Sequence, residues 1–142
     1  RDHCLSRGLG DVYKRQATTF DVIRSDGVFE GGLICPGMLI SAEALYSRAA
    51  QLFQVNLDKP EQLIGKNTTE SMQSGIFNGY CAMIEALVVK ITEDLKERNQ
   101  PEPKVIITGG HATKISEYLP DAAIEENLTL TGLSLIHLLN QK

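Results

Sequence analysis

The feature that most constrains this sequence is a long run of apolar residues at helical spacing between Asn67 and Leu95. The apolar positions recur at steps of three and four residues, which is the spacing of one face of an α-helix. The stripe consists of Met72, Ile76, Tyr80, Met83, Ile84, Leu87, Val88, Ile91 and Leu95. Glu70 follows Asn67 by three residues, and this pair predicts a capping box at the start of the helix. The stripe must pack against a sheet or another chain.

One flank of this helix carries two glycines four residues apart, Gly75 and Gly79. Their missing side chains would let the backbone of a neighbour approach closely, at a helix-propensity cost of about 1 kcal/mol each. A small-residue flank on a strongly amphipathic helix favours a helix-mediated homodimer.

The chain before the long helix is predicted to form a β-hairpin and a first helix. The runs Thr18–Ser25 and Val28–Ile34 are rich in β-branched and apolar residues, and they flank Asp26-Gly27, a strong two-residue turn signal. Pro36-Gly37 then interrupts the chain, and apolar spacing predicts a helix over about 38–54.

The chain after the long helix is predicted to contain one strand and two helices. The apolar run KVIIT at 104–108 is typical of a strand buried on both faces, and Gly109-Gly110 ends it. A short helix over about 112–118, an irregular acidic stretch and a closing helix over about 131–140 follow. The order of elements predicts an α/β fold.

Residues 1–16 are expected to be a non-native, disordered leader that does not belong to the fold. They show no clear period, no initiating Met and no apolar core of the kind that a signal peptide needs. Their final run, DVYKRQ, resembles the translated adapter sequence that contaminates assembled environmental reads. We therefore expect a single domain over residues 17–142.

Composition narrows the class of protein. With 42% apolar and 23% charged residues, the chain is typical of globular proteins. A formal charge of −4 offers no basic field for nucleic acid, and we expect no stretch to be apolar for long enough to cross a bilayer. Cys4, Cys35 and Cys81 lie far apart without metal-ligand spacing, which favours buried free thiols over zinc or disulfides. We expect a cytoplasmic protein.

Two segments are candidates for binding a nucleotide. Thr18 and Thr19, beside a tight hairpin, are candidate phosphate contacts, although composition alone favours ordinary strand threonines. Gly109 and Gly110 follow a predicted buried strand, where α/β folds commonly leave a ligand crevice. Taken alone, these glycines are better explained by a simple turn than by a nucleotide site.

A third candidate is the start of the long helix, where unpaired amides favour an anion such as a substrate carboxylate. Capping alone explains Asn67, so Thr68 is the preferred substrate contact. His111 could touch a nucleotide, but a solvent-exposed turn histidine is the more ordinary outcome. His137 belongs to the closing helix, and no catalytic residue is assigned.

Four blocks of sequence, spread over essentially all of residues 17–142, follow the order of motifs in one enzyme family. The blocks are Ala17-Thr18-Thr19-Phe20-Asp21; Gly31-Gly32-Leu33-Ile34-Cys35-Pro36-Gly37; Ile64-Gly65-Lys66-Asn67-Thr68 with Ser71, Ser74-Gly75 and Gly79-Tyr80; and Thr108-Gly109-Gly110-His111-Ala112. In this the chain resembles the type III pantothenate kinases. The first block is similar to the tail of the family's second phosphate motif, and the last to its adenosine motif.

The resemblance implies a fold and a reaction. The fold would be the ribonuclease-H-like second domain of the acetate and sugar kinase, Hsp70 and actin superfamily, truncated at its N-terminal side. The reaction would be ATP-dependent phosphorylation of pantothenate to 4'-phosphopantothenate, the first step of coenzyme A biosynthesis, in a homodimer with Mg²⁺ and a monovalent cation, K⁺ or NH₄⁺. By position, Thr18 and Thr19 would belong to the phosphate motif, Gly109 and Gly110 to the adenosine motif, and Thr68 to the pantothenate contact.

The departures from the family pattern lie in the leader. The potassium-holding Asp and an ATP-contacting Thr of the family fall at Tyr13 and Gln16. No part of the chain matches the segment that bears the family's catalytic Asp, so the fragment alone is expected to be inactive. The alternative is a non-catalytic binding or transcriptional accessory module of the same fold, which the acidic charge argues against as a direct DNA binder.

Overall fold

The computed structural model describes residues 17–48 and 55–141. These residues belong to two compact units, of which the first ends at Glu102 and the second begins at Pro103. Each unit contains a small sheet and helices, so the predicted mixed α/β class is confirmed. Residues 1–16, the predicted leader, lie outside the described residues.

The predicted hairpin is confirmed. Strands β1 (Ala17–Ile23) and β2 (Phe29–Pro36) pair antiparallel, with a bulge near the end of β1. The turn depends on Gly27, whose φ of 83° lies in the left-handed region that glycine tolerates. The carboxylate of Asp26 accepts a hydrogen bond from the Val28 amide at 3.2 Å, so both predicted turn residues shape the turn.

Two helices follow the hairpin in the first unit. Helix α1 spans Met38–Arg48 and helix α2 spans Thr68–Glu97. The predicted continuation of α1 to about residue 54 lies outside the described residues. The start of α2 agrees with its predicted cap at Asn67, because that signal is local and strong.

The buried side chains of the first unit come mainly from α2, with contributions from α1 and the connection between them. They are Met38, Ala42, Val55, Met72, Ser74, Phe77, Tyr80, Cys81, Ile84 and Leu95. The predicted burial of Cys81 is confirmed, whereas Cys35 on β2 is half-buried. The hairpin is tied to the end of α2 by an ion pair between Glu30 and Arg98, and Arg98 also pairs with Asp94 at 2.6 Å.

Helix α2 is long and apolar enough to cross a membrane by length and composition alone, with a mean hydropathy of 1.3 over its best window. By this measure the expectation that no stretch is apolar for long enough is wrong. A mostly buried core helix passes the same test, but only 17% of this window is buried, in a narrow stripe that includes Phe77 and Ile84.

The glycine flank of α2 has no close neighbour within the described parts of the chain. A β-carbon placed on Gly75 or Gly79 would meet nothing within 4 Å. The close backbone contact expected from the sequence is therefore not made by these residues of the same chain.

The second unit contains a two-stranded parallel sheet and two helices. Strand β3 (Ile106–Ile107) pairs with β4 (Ala123–Ile124), and helix α3 (Ala112–Ile115) with the 3₁₀ turn Ser116–Tyr118 connects them. The prediction of a strand buried on both faces is wrong, because Ile106 is 51% exposed. Helix α4 (Leu128–Leu139) closes the chain.

Candidate functional site

Thr18 and Thr19 lie on opposite faces of the hairpin. Side chains alternate along a strand, and the burial of β1 follows this alternation: Thr18 is half-buried and Thr19 is exposed. In the ladder, Thr18 lies opposite Cys35 and Thr19 lies opposite Ile34. The two predicted phosphate contacts therefore cannot direct their hydroxyls to the same side of the sheet.

The half-buried face of β1 is joined to helix α2 by a short hydrogen bond. Thr18 Oγ1 lies 2.5 Å from the phenolic oxygen of Tyr80, and the two residues are 62 positions apart in the chain. Tyr80 is only 8% exposed. Burial raises the pKa of the Tyr80 phenol, and the hydrogen bond to Thr18 offsets part of that rise. The phenol therefore stays protonated at neutral pH and has a proton to donate.

In the sequence, Tyr80 belongs to the apolar stripe and to the third motif block, and neither pattern gives its hydroxyl a partner. A tyrosine on a buried helix face needs a hydrogen-bond partner for its hydroxyl, because an unpaired buried hydroxyl is costly. From this requirement, a hydrogen bond between Tyr80 and a polar residue could have been predicted. It does not identify which polar residue, since the partner lies on a distant strand.

The start of α2 is capped by a network around Glu70. Asn67 Oδ1 accepts a hydrogen bond from the Glu70 amide at 2.9 Å, and Asn67 Nδ2 donates to Glu70 Oε1 at 2.7 Å. The other carboxylate oxygen, Oε2, accepts from the Lys66 amide at 2.8 Å, one residue before the amide that a capping box normally engages. The Lys66 amide, followed by the Asn67 side chain, lowers the pKa of Glu70.

This network changes the prediction of an anion site at the helix start. The negative charge of Glu70 already lies at the positive end of α2, where it competes with a bound anion. What remains available is the hydroxyl of Thr68, which is exposed and makes no side-chain hydrogen bond within residues 17–48 and 55–141.

Thr68 lines an open groove between α1 and α2 with a volume of about 560 Å³. Its other lining residues are Leu45, Ser71, Met72, Gly75 and Ile76. The walls are mainly apolar, with the hydroxyls of Thr68 and Ser71 as polar groups. Such a groove suits a small ligand that carries both methyl groups and hydroxyls.

The predicted adenosine turn lies in the second unit, directly after β3. Gly109 has a φ of 98°, which requires glycine, and its carbonyl accepts a hydrogen bond from the Ala112 amide at 3.1 Å. A β-carbon on Gly109 or Gly110 would meet nothing within 4 Å. The backbone here is open to approach by a flat ring or a phosphate.

His111, beside this turn, differs from its expected solvent-exposed state. It is half-buried, and its Nδ1 atom is buried without a hydrogen-bond partner among the described residues. Burial, with a smaller effect from Lys114, lowers the pKa of His111, so the imidazole is neutral at pH 7.

The predicted contacts are divided between the two units. Thr18, Thr19 and Thr68 belong to the first unit, and Gly109 and Gly110 belong to the second. Thr68 and Tyr80 are separated by about 18 Å along the axis of α2, so Thr68 and the Thr18 edge would contact different ligands or different parts of one. The positions Tyr13 and Gln16 lie outside the described residues.

The described residues also offer no group of three or more His, Cys, Asp or Glu side chains that could hold a metal ion. Mg²⁺ is usually bound by one or two carboxylates together with the phosphates of a substrate, so it does not require such a cluster.

Comparison with known proteins gives a match to one family model and matches to solved structures. The family model for type III pantothenate kinase matches residues 16–90, which contain the hairpin, α1 and most of α2. A solved structure from Campylobacter jejuni, described as a conserved Baf family transcriptional activator, matches with a TM-score of 0.58 at 22% sequence identity. That match covers 89% of this chain and 55% of the other, so the chain spans little more than half of its length. At this identity the likeness shows the fold alone.

Proposed function

Because this chain belongs to the type III pantothenate kinase family, we propose that its activity is the ATP-dependent phosphorylation of pantothenate to 4'-phosphopantothenate. In this reaction the primary hydroxyl of pantothenate attacks the γ-phosphorus, the bond to the β-phosphate oxygen breaks, and ADP leaves. The family match over more than half of the chain is the observation that carries the proposal. Transfer of this kind asks a protein mainly for positioning and charge stabilisation.

By position in the family pattern, we propose that Thr18 and Thr19 belong to the phosphate motif, Gly109 and Gly110 to the adenosine motif, and Thr68 to the pantothenate contact, in the groove beside α1. The apolar walls and the hydroxyls of the groove would contact the two methyl groups and the hydroxyls of pantothenate, whereas its carboxylate would lie away from Glu70.

We further propose that residues 17–142 form the ribonuclease-H-like second domain of the superfamily fold, in a cytoplasmic protein. ATP is the cofactor that the family implies, with Mg²⁺ and a monovalent cation, K⁺ or NH₄⁺, as part of the proposal. The catalytic base is not assigned to any residue of this chain.

A homodimer is also part of the proposal. The flank of α2 at Gly75 and Gly79 is open in the first unit, so a second copy could approach it. Gly79→Leu would fill that space and should shift the complete protein towards monomer in light scattering. An unchanged dimer in this variant would exclude the flank as the interface.

The decisive experiment is an assay of the complete protein with pantothenate and ATP. We expect phosphopantothenate and ADP to form in equal amounts and the rate to rise when K⁺ replaces Na⁺. Glucose and acetate serve as control acceptors, since related folds phosphorylate such substrates. Phosphorylation of either control without phosphorylation of pantothenate would overturn the proposal.

A second candidate function is a transcriptional accessory module, which the description of the Campylobacter structure favours. The formal charge of −4 provides little attraction for a phosphate backbone. Duplex binding by the complete protein that weakens steeply with salt would support this candidate, and the absence of duplex binding at low salt would remove direct DNA contact.

A further inference from the structure

The geometry of the hairpin points to different roles for the two threonines of the phosphate motif. We propose that Tyr80 is a positioning residue, which holds Thr18 so that the neighbouring Thr19 presents its hydroxyl to a nucleoside triphosphate on the opposite face of the hairpin. This inference rests on the proposed function, because it assumes that strand β1 contacts the phosphates of ATP.

The hydroxyls of Thr18 and Thr19 differ in their accessibility to a ligand. The Thr18 side chain faces α2 and is half-buried, and its hydroxyl is hydrogen-bonded to Tyr80. The Thr19 side chain is exposed, and it makes no hydrogen bond within the described part of the chain. A bound phosphate can therefore reach the Thr19 hydroxyl without displacing a protein contact, whereas it would have to compete with the core for Thr18.

The burial of Tyr80 determines the direction of its hydrogen bond with Thr18. Each hydroxyl has one proton and can also accept. Tyr80 is 8% exposed, and Thr18 is the hydrogen-bond partner that the described residues give its phenol. A buried phenol without an acceptor would be left with an unsatisfied proton, so Tyr80 donates and Thr18 accepts. The hydrogen bond therefore holds the Thr18 side chain against helix α2.

Helix α2 and the hairpin hold the two partners of this hydrogen bond in place. Tyr80 lies within a 30-residue helix and is followed along its buried stripe by Cys81 and Ile84, so its phenolic oxygen is held by the core. Thr18 is next to the first residue of β1 and pairs with Cys35. Anchoring Thr18 fixes the backbone of this strand end and hence the direction of the adjacent Thr19 side chain, because neighbouring residues in a strand point to opposite faces.

The test is ATP binding by the complete protein, measured by calorimetric titration, for Tyr80→Phe, Thr18→Val and Thr19→Val. We expect Tyr80→Phe and Thr18→Val each to raise the Kd for ATP by roughly twofold to tenfold, the range of one lost hydrogen bond. Thr19→Val should raise it at least as much. Thr18→Ser keeps the hydroxyl and should bind ATP as the wild type does.

A double variant separates positioning from general damage. If the phenol acts through Thr18, combining Tyr80→Phe with Thr18→Val should raise the Kd no further than either change alone. In steady-state assays, Tyr80→Phe should raise the KM for ATP and leave the KM for pantothenate unchanged at saturating ATP.

The matched control is Tyr46→Phe. Tyr46 is a half-buried tyrosine of the same unit, whose hydroxyl accepts a hydrogen bond from the Val55 amide at 3.2 Å. This variant loses a comparable hydroxyl away from the hairpin, so it should lower thermal stability without changing the Kd for ATP.

Several results would overturn the inference: a wild-type protein that does not bind ATP, a Thr19→Val variant with wild-type affinity, or Tyr80→Phe and Thr18→Val variants that melt earlier but bind ATP normally. Failure of the proposed function gives a different result. A wild-type protein that binds ATP but does not phosphorylate pantothenate contradicts the substrate, and the Kd values still test the role of Tyr80.

Discussion

Gly65 passes so close to Ser71 that a β-carbon at Gly65 would lie 2.3 Å from the Ser71 backbone nitrogen. The atoms in the way belong to the backbone of the first turn of α2, so no side-chain rotation could relieve the clash. The glycine of the loop before α2 is therefore required by packing against the helix, and the position of Thr68 depends on it.

Gly65→Ala is predicted to destabilise the protein by about 1–3 kcal/mol, the usual cost of overpacking. The measurement is urea-induced unfolding followed by circular dichroism. Gly132→Ala, in helix α4, is the matched control because a β-carbon there meets nothing within 4 Å, and it should be neutral or stabilising by up to about 1 kcal/mol. Equal effects of the two changes would contradict the packing role of Gly65.

Local signals account for the parts of the first unit that were predicted well. The hairpin followed from Asp26-Gly27, and the start of α2 from Asn67 and Glu70, because the interactions that fix both features span only a few residues. Strand β4 (Ala123–Ile124) was missed for the opposite reason. Its pairing with β3 is non-local, and it lies in an acidic stretch that has no strand pattern of its own.

The apolar residues in the sequence indicate which segments gain from burial. They do not show which other part of the protein covers each segment. Ile106 belongs to an apolar run and is nevertheless half exposed. The candidate site shows a similar limit. The period of two in β1 already placed Thr18 and Thr19 on opposite faces, and only the position of Tyr80 shows which face meets the helix.

The stability of the first turn of α2 should depend on pH through Glu70. Because hydrogen bonds lower the folded-state pKa of Glu70 below its ordinary value of 4.5, its contribution is present above that value and is lost as pH falls through the lowered pKa. Glu70→Gln should therefore be less stable than the wild type at pH 7, and this difference should shrink below about pH 4.5.

The check is urea unfolding of both proteins at several values of pH between 3 and 7. Glu85→Gln is a control for removing an exposed acidic residue in the middle of the same helix. A stability difference for Glu70→Gln that stays constant across this range would mean that the charge of Glu70 does not contribute to the cap.

Helix α4 should make this chain bind apolar dyes. None of its residues is buried, and Leu130, Leu133, Leu135 and Leu139 are between 57% and 73% exposed. Large exposed apolar surface of this kind binds dyes such as anilinonaphthalene sulfonate. Leu133→Lys should lower the dye fluorescence, whereas Thr131→Lys, on a polar position of the same helix, should not. Equal fluorescence in all three proteins would place the apolar surface elsewhere.

Thr68 can be tested against its neighbour Thr69, since both lie exposed in the first turn of α2 but only Thr68 lines the groove. Valine keeps the shape of threonine and removes the hydroxyl, so Thr68→Val should raise the KM for pantothenate by about threefold to tenfold, the loss of one hydrogen bond. Thr69→Val should leave it unchanged, and both variants should keep the wild-type KM for ATP. If the two variants behave alike, the hydroxyl of Thr68 does not contact the substrate, and the groove would hold pantothenate through its apolar walls alone or not at all.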